Sequence, residues 1–275
     1  MPAAPDSTAT PFWRSSFETG FPGEWLDYDN GSYSATGAAQ PGRTAHWSII
    51  DASGAPAPPR HGSRIYKGWI TGTAPESHRA YPVLHADFPS PLVTSWWVYL
   101  DTDYSRFPAD GSHHFATWGN DPFWNVHTMA VLGTGRLEMA HVNNLQIVGD
   151  NTMPVRRWVR FTAYIAYAPR GDNTIFVWKD GTPCMRAVNR LVGTGNLMRA
   201  HWGLYTAGSL SEGMQLNDDI QIWGLSGPWT DFTREPPSPY TSAAARTSVE
   251  SQELLTTLFT TPRQAFNQTL SGGRR

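Results

Sequence analysis

Apolar and polar positions alternate through much of the middle of the chain. In residues 158–167 polar side chains alternate with an apolar face made of Val159, Phe161, Ala163, Ile165 and Tyr167. A period of two is typical of a β-strand with one buried face. Residues 92–101 alternate in the same way, and the segment 174–179 runs into Asp180-Gly181, which predicts a two-residue hairpin turn before a second strand at 184–188.

The same reasoning predicts strands over most of the remaining chain. They lie at 64–70, 78–86, 113–118, 125–132, 136–142, 198–206 and 218–225. No amphipathic helix separates them, and 13 Trp, 10 Tyr and 12 Phe stand against only 16% charged residues, a composition that favours strands. We therefore predict an all-β fold, a sandwich or jelly roll of two antiparallel sheets.

The two ends of the 275-residue chain differ from the middle in composition. Residues 1–11 predict a flexible head, residues 12–233 a single β-domain, and residues 234–275 a Pro-rich linker with a short C-terminal helical tail. In that tail Thr247 and Glu250 form a capping box before a helical stripe of apolar residues. Two interpretations stay open: the helix folds back on the domain, or residues 247–262 bind a protein partner.

Charge and cysteine content exclude several classes of protein. Twenty-one basic and 23 acidic residues give a net charge of −2, and no basic block is present, which argues against a nucleic-acid partner. No apolar stretch is long enough to span a membrane. Cys184 is the only cysteine, so an internal disulfide is impossible. The first residues do not form a signal peptide, which leaves the compartment open.

Candidate chemistry lies on three of the predicted strands. Alternation places Arg79 with Tyr81 on one face, Asn125 with His127 on another, and His201 with Tyr205 on a third. A cleft lined by a sheet needs polar side chains that point to the same face from several strands.

The adjacent His113 and His114 point to opposite faces of their strand and cannot easily bind one metal ion together. No G-x-S-x-G nucleophile motif and no phosphate-binding G-x-x-x-x-G-K-[ST] loop is present.

These three segments resemble the motifs of alginate-lyase-type polysaccharide lyases, jelly-roll members of the concanavalin A-like superfamily. In that family an R-[TS]-E strand, a Q-[IV]-H strand and a K-x-G-x-Y strand line the groove. The matching residues are Arg79, His127 and Tyr205, in the same chain order. Three positions depart from the motifs: Tyr81 replaces the Glu, Asn125 the Gln and His201 the Lys.

The resemblance implies a polysaccharide lyase that cleaves a uronic-acid-containing glycan by β-elimination, in an extracellular or periplasmic location. Arg79 and Asn125 would neutralise the uronate carboxylate. Tyr205 would act as acid, or as both acid and base, His127 as base or neutraliser, and His201 would support them. Sugar rings would contact a set of aromatic side chains, namely Tyr81, Trp118, Trp124 and Trp178.

A structural calcium ion is a second implication of the wider superfamily, which includes laminin-G-like and carbohydrate-binding modules. Phe17-Glu18-Thr19-Gly20 resembles its opening strand, and the segment 217–223 resembles its closing strand. Glu18 with Asp218 or Asp219 would supply carboxylate oxygens to the ion. The alternative to a lyase is a non-catalytic carbohydrate-binding or adhesion module of the same fold, with a polysaccharide partner in either case.

Overall fold

The computed structural model describes residues 8–20, 44–75, 77–107, 111–120, 126–142, 144–167, 173–189 and 197–240. Fifteen strands lie in these ranges. In chain order they are β1 (Ala9–Ser15), β2 (Ala45–Asp51), β3 (Arg64–Ile70), β4 (Ser77–Ala80), β5 (Val83–His85), β6 (Leu92–Asp101), β7 (Ser112–Asn120), β8 (His127–Leu132), β9 (Leu137–Ala140), β10 (Asn144–Ile147), β11 (Trp158–Ala166), β12 (Asn173–Lys179), β13 (Thr182–Asn189), β14 (Leu197–Ala207) and β15 (Gly213–Leu225).

The strands form two antiparallel sheets. The nine-stranded sheet has the order β10-β13-β12-β11-β6-β15-β3-β2, and β1 also pairs with β15. The six-stranded sheet has the order β4-β14-β7-β8-β9, and β5 also pairs with β14. The prediction of a jelly-roll sandwich of two antiparallel sheets is confirmed.

The core between the sheets is built largely from aromatic rings. Trp13 stacks on Trp202 at 6.0 Å between ring centroids, Trp118 lies 5.5 Å from Trp96, and Trp96 lies 5.6 Å from Phe161. All five side chains are buried. Because Trp118 and Trp202 belong to the six-stranded sheet and Trp96 and Phe161 to the nine-stranded sheet, these contacts hold the two layers together.

Several strand boundaries differ from the prediction. β1 begins at Ala9, inside the predicted head, and β2 and β10 were not predicted at all. The predicted strand 78–86 is divided into β4 and β5 at Tyr81-Pro82, where proline supplies no backbone N–H to a ladder. The predicted tail helix lies outside the described residues.

The segment after β15 packs on the outer face of the nine-stranded sheet. Phe232 stacks on Phe176 at 4.5 Å, and the Arg160 guanidinium donates to the Glu235 carboxylate at 2.6 Å. By its internal contacts the chain divides into one unit over Met1–Pro237 and a second over Ser238–Arg275. Among the described residues, no helix has the length and hydropathy of a membrane span.

Candidate functional site

The outer face of the six-stranded sheet carries an arginine, a tyrosine and a histidine in one row. Tyr205 of β14 pairs with Arg79 of β4 on one side and with His114 of β7 on the other. Directly paired residues of antiparallel strands point to the same face, so the three side chains lie together. Leu204, the neighbour of Tyr205 in β14, points the other way and is fully buried.

The three side chains are in direct or near contact. The Arg79 guanidinium carbon lies 5.3 Å from the centre of the Tyr205 ring, within the range of a cation–π interaction. The His114 ring meets the same tyrosine edge-on, with 5.1 Å between centroids and an interplanar angle of 87°. Beside them is an open pocket of about 210 Å³, lined by Ser77, Gly111, Ser112, His114, Tyr205, Thr206 and Ala207.

His114 lines this pocket, and its two ring nitrogens have different surroundings. Its Nε2 lies 2.8 Å from the Ser112 hydroxyl, and Ser112 lines the pocket. Its Nδ1 is buried and has no hydrogen-bond partner in the described part of the chain. Burial, together with the nearby His141, lowers the pKa of His114 to about 4, so its imidazole is neutral at pH 7.

The rings of His201 and Tyr81 form a stacked pair next to Tyr205. Their ring centroids are 4.0 Å apart with an interplanar angle of 15°, and both side chains are buried. Burial, with smaller contributions from His114 and Arg79, lowers the pKa of His201 to about 3. Of the predicted site residues, the structure therefore brings Arg79, Tyr205, His201 and Tyr81 together.

His127 does not join this group, contrary to the shared hollow that the sequence predicted. Val126 donates its backbone N–H to Trp118 at 2.8 Å, and His127 is also in register with Trp118. His127 has the parity of Met129 and Val131 in β8, which belong to the core, so regular alternation turns its side chain inward with Trp118. His127 is fully buried, neither ring nitrogen has a partner within the described ranges, and burial lowers its pKa to about 3.

The predicted sugar-stacking tryptophans do not face solvent. Trp118 is 1% exposed within the core between the sheets. Trp178 is fully buried on the outer face of the nine-stranded sheet, with Phe176 and Phe232 against it. A sugar ring has no access to either indole, so this part of the prediction is corrected. Asn125 and Trp124 lie outside the described residues.

Glu18 binds the segment that leads into β3. Its Oε1 accepts hydrogen bonds from the backbone N–H groups of Ser63 at 2.9 Å and Arg64 at 2.8 Å. Gly62 lies so close that a Cβ there would come within 2.3 Å of the same oxygen, and its φ is +64°. Glycine is therefore needed where the carboxylate meets this segment.

Asp218 binds the same segment a little earlier in the chain. Its Oδ2 accepts from the backbone N–H groups of Arg60 at 2.6 Å and His61 at 2.8 Å, and its Oδ1 accepts from the N–H of Asp219 at 2.7 Å. Burial raises the pKa of Asp218 to about 7 although these hydrogen bonds favour its charged form. Asp219 pairs with Arg14 at 2.9 Å instead.

The oxygens of Glu18 and Asp218 suit a hard cation, and His61 Nδ1 is buried nearby without a partner in the described ranges. In this structure the carboxylates face N–H donors, and the described residues contain no cluster of three or more histidine, cysteine or acidic side chains with the geometry of a metal site. Carboxylate oxygens are ligands that calcium takes, and a calcium ion at this place stays a prediction.

The residue that sequence reasoning missed is His114. Ser112-His113-His114 has the x-x-His spacing of the Q-[IV]-H motif and lies on the strand next to β14, but the match was assigned to Asn125-Val126-His127. His113 faces the core, where its Nε2 lies 2.8 Å from the Gln215 side chain, and His114 faces outward. The alternation of His113 and His114 thus indicated that one of the two faces outward. The sequence did not show that β7 lies next to β14.

Comparison with known proteins relates the chain by fold alone. No protein-family model matches the sequence, and no curated protein shows a significant match. The endo-β-1,4-glucuronan lyase from the fungus Trichoderma reesei is similar in structure, with a TM-score of 0.51, 14% identity and coverage of 78% of this chain and 94% of that one. The cellulose induced protein Cip1 gives a TM-score of 0.53, 14% identity and coverage of 76% and 95%. The chain thus has a jelly-roll fold like that of a polysaccharide lyase.

The buried histidines predict loss of stability in acid. The pKa values of four imidazoles are lowered from 6.5, to about 4 for His113 and His114 and about 3 for His127 and His201. For these four groups the unfolded chain binds more protons than the folded one between pH 6.5 and 3, so their contribution to stability is full above pH 6.5 and falls as the pH drops. We expect the melting temperature to decrease steadily from pH 7 to pH 4.

The variant His127→Leu tests the origin of this decrease. It removes two unpartnered nitrogens, whose burial costs about 1–3 kcal/mol, so at pH 7 the variant should be at least as stable as the wild type. Its melting temperature should also depend less on pH. The assignment would be contradicted by a variant that is clearly less stable at pH 7 and whose melting temperature falls as steeply with decreasing pH as that of the wild type.

Proposed function

We propose that the protein is a polysaccharide lyase that cleaves a uronic-acid-containing glycan by β-elimination. The observation that carries this proposal is the meeting of Arg79, His114 and Tyr205 on one face of the six-stranded sheet, where His114 and Tyr205 line an open pocket and Arg79 lies against the Tyr205 ring. The reaction needs a group that neutralises charge, a base and an acid. A guanidinium, an imidazole and a phenol can fill these three functions.

Arg79 is suited to bind the uronate carboxylate. The C5–H bond of a uronate lies next to this carboxylate, and C5 becomes acidic enough only when the carboxylate charge is neutralised. The guanidinium can donate two parallel hydrogen bonds to a carboxylate. No described acidic side chain forms an ion pair with Arg79, and its guanidinium lies against the tyrosine that borders the pocket.

His114 and Tyr205 are suited to transfer the protons. The neutral Nε2 of His114 takes the proton from C5, and the C–H electron pair forms the C4–C5 double bond. The bond from C4 to the glycosidic oxygen breaks, and the Tyr205 hydroxyl gives its proton to that oxygen. The products are an unsaturated uronate and a new sugar end, and the reaction consumes no water.

Two further points support this proposal. One of the structurally similar proteins is a glucuronan lyase, which shows that this fold can carry such chemistry. The described outer face of the six-stranded sheet offers polar groups at a pocket, whereas Trp118 and Trp178, which a binding platform would need, are buried. An extracellular or periplasmic location belongs to the same proposal.

We also propose that calcium binds between Glu18 and Asp218. The ion would hold the segment 60–64 against the sheet and would neutralise the buried carboxylate of Asp218. It would have a structural role at this place, because both carboxylates bind the segment before β3, which belongs to the other sheet from the pocket.

Thermal melting tests the calcium proposal. We expect calcium to raise the wild-type melting temperature by about 2–8 °C relative to a chelator, because a ligand of the folded state stabilises it. Asp218→Asn should abolish this response. Asp219→Asn, whose carboxylate pairs with Arg14, should keep it. Equal wild-type melting temperatures in calcium and in chelator would contradict the proposal and leave the N–H donors as the only ligands of these carboxylates.

Incubation with a panel of uronate polymers tests the lyase. The wild type should generate the ultraviolet absorbance of an unsaturated uronate on at least one polymer. Tyr205→Phe and His114→Asn should lower kcat by about 100-fold or more, the usual contribution of a proton-transfer group. His46→Asn, the same change on the other sheet, should leave kcat unaltered and is the matched control.

Two results would contradict the lyase. Full activity of His114→Asn would remove the proposed base. Absence of cleavage on every polymer, together with glycan retention in affinity gels, would identify a non-catalytic carbohydrate-binding module instead.

A further inference from the structure

Strand β14 and the turn after β4 touch each other at Gly203. The φ of Gly203 is +152°, and a Cβ on this residue would lie 2.6 Å from the backbone oxygen of Ala80 and 2.6 Å from the Cβ of Tyr81. No other residue fits here without moving one of the two strands. The absence of a side chain at Gly203 therefore allows Tyr81 to lie directly against β14.

This close approach places the Tyr81 ring on the ring of His201. The two rings are nearly parallel, with 4.0 Å between centroids, and only 1% of Tyr81 and 3% of His201 are exposed. Neither residue lines the pocket. Since the low pKa of His201 leaves its imidazole uncharged at pH 7, the pair is a neutral stack rather than a proton relay.

The stack supports the tyrosine that borders the pocket. Tyr81 meets Tyr205 edge-on, with 6.1 Å between centroids and an interplanar angle of 69°. His114 and Arg79 contact the same phenol ring. Of these three neighbours of Tyr205, Tyr81 is the one whose ring stacks on a second buried ring, that of His201.

The two members of the stack are also two of the positions at which this chain departs from the motifs it resembles. Tyr81 stands in place of the Glu in R-[TS]-E, and His201 in place of the Lys in K-x-G-x-Y. The structure shows that these two replacements touch. The two positions that depart from these motifs are therefore occupied by two rings in contact.

We infer that Tyr81 and His201 are positioning residues, which act as one aromatic stack to orient the Tyr205 phenol toward the pocket. The inference deepens the proposed function and rests on it for its kinetic part. It assigns no proton transfer to His201, and it requires of each position only a flat ring.

The test compares variants that keep the ring with a variant that removes it. Tyr81→Leu should lower kcat about 10- to 100-fold while KM changes less than about threefold, because a misplaced acid affects the chemical step more than substrate binding. Tyr81→Phe and His201→Phe keep a flat ring and should retain kcat within about threefold. Melting curves first establish that each variant folds, and if His201→Phe does not, the two Tyr81 variants carry the comparison.

A second measurement does not depend on activity. In protein labelled with fluorotyrosine, the fluorine resonance of Tyr205, assigned with Tyr205→Phe, should move in Tyr81→Leu and return toward the wild-type position in Tyr81→Phe. If the wild type cleaves no uronate polymer, the proposed function fails, and this resonance still decides the inference about positioning.

Two outcomes would overturn the inference. An unmoved Tyr205 resonance in Tyr81→Leu would show that the stack does not orient the phenol. Loss of kcat in His201→Phe as complete as in His114→Asn, with the Tyr205 resonance in place, would make His201 a proton-transfer group itself.

Discussion

Strand β14 lies between β4 and β7 in a register that pairs Tyr205 with Arg79 on one side and with His114 on the other. Since paired positions point to one face, this register alone brings together a guanidinium, a phenol and an imidazole from distant parts of the chain. A slip of one residue in either pairing would turn one of the three groups into the core. Gly203 supports the register, because it lets the turn after β4 approach β14 closely.

Burial determines what the groups on this sheet can do. The aromatic core beneath it fixes the strands, and the same dry surroundings lower the pKa values of His114 and His201, so both imidazoles are neutral at pH 7. Arg79 is thus a positive charge that lies against the Tyr205 ring at the edge of this group. His201 is buried in the same group, and the role proposed for it depends on its ring rather than on a charge.

The period of two in the sequence predicted most of the fold, because long strands with one buried face dominate the sandwich. It missed β10, whose residues are largely exposed and show no apolar face. Arg79 and Tyr205 lie side by side because β4 and β14 pair them directly, as the pairing of their two strands requires. His127 faces the core instead, because it alternates regularly with the core residues Met129 and Val131. His114 required knowing that β7 pairs with β14, which local periodicity does not show.

The measurement that tests this account most directly is a crystal structure of the protein with a bound uronate oligosaccharide. The account predicts a uronate carboxylate within hydrogen-bond distance of the Arg79 guanidinium, with C5 of that sugar near Nε2 of His114 and its glycosidic oxygen near the Tyr205 hydroxyl. An oligosaccharide bound on the nine-stranded sheet, or on the six-stranded sheet away from these three side chains, would contradict it.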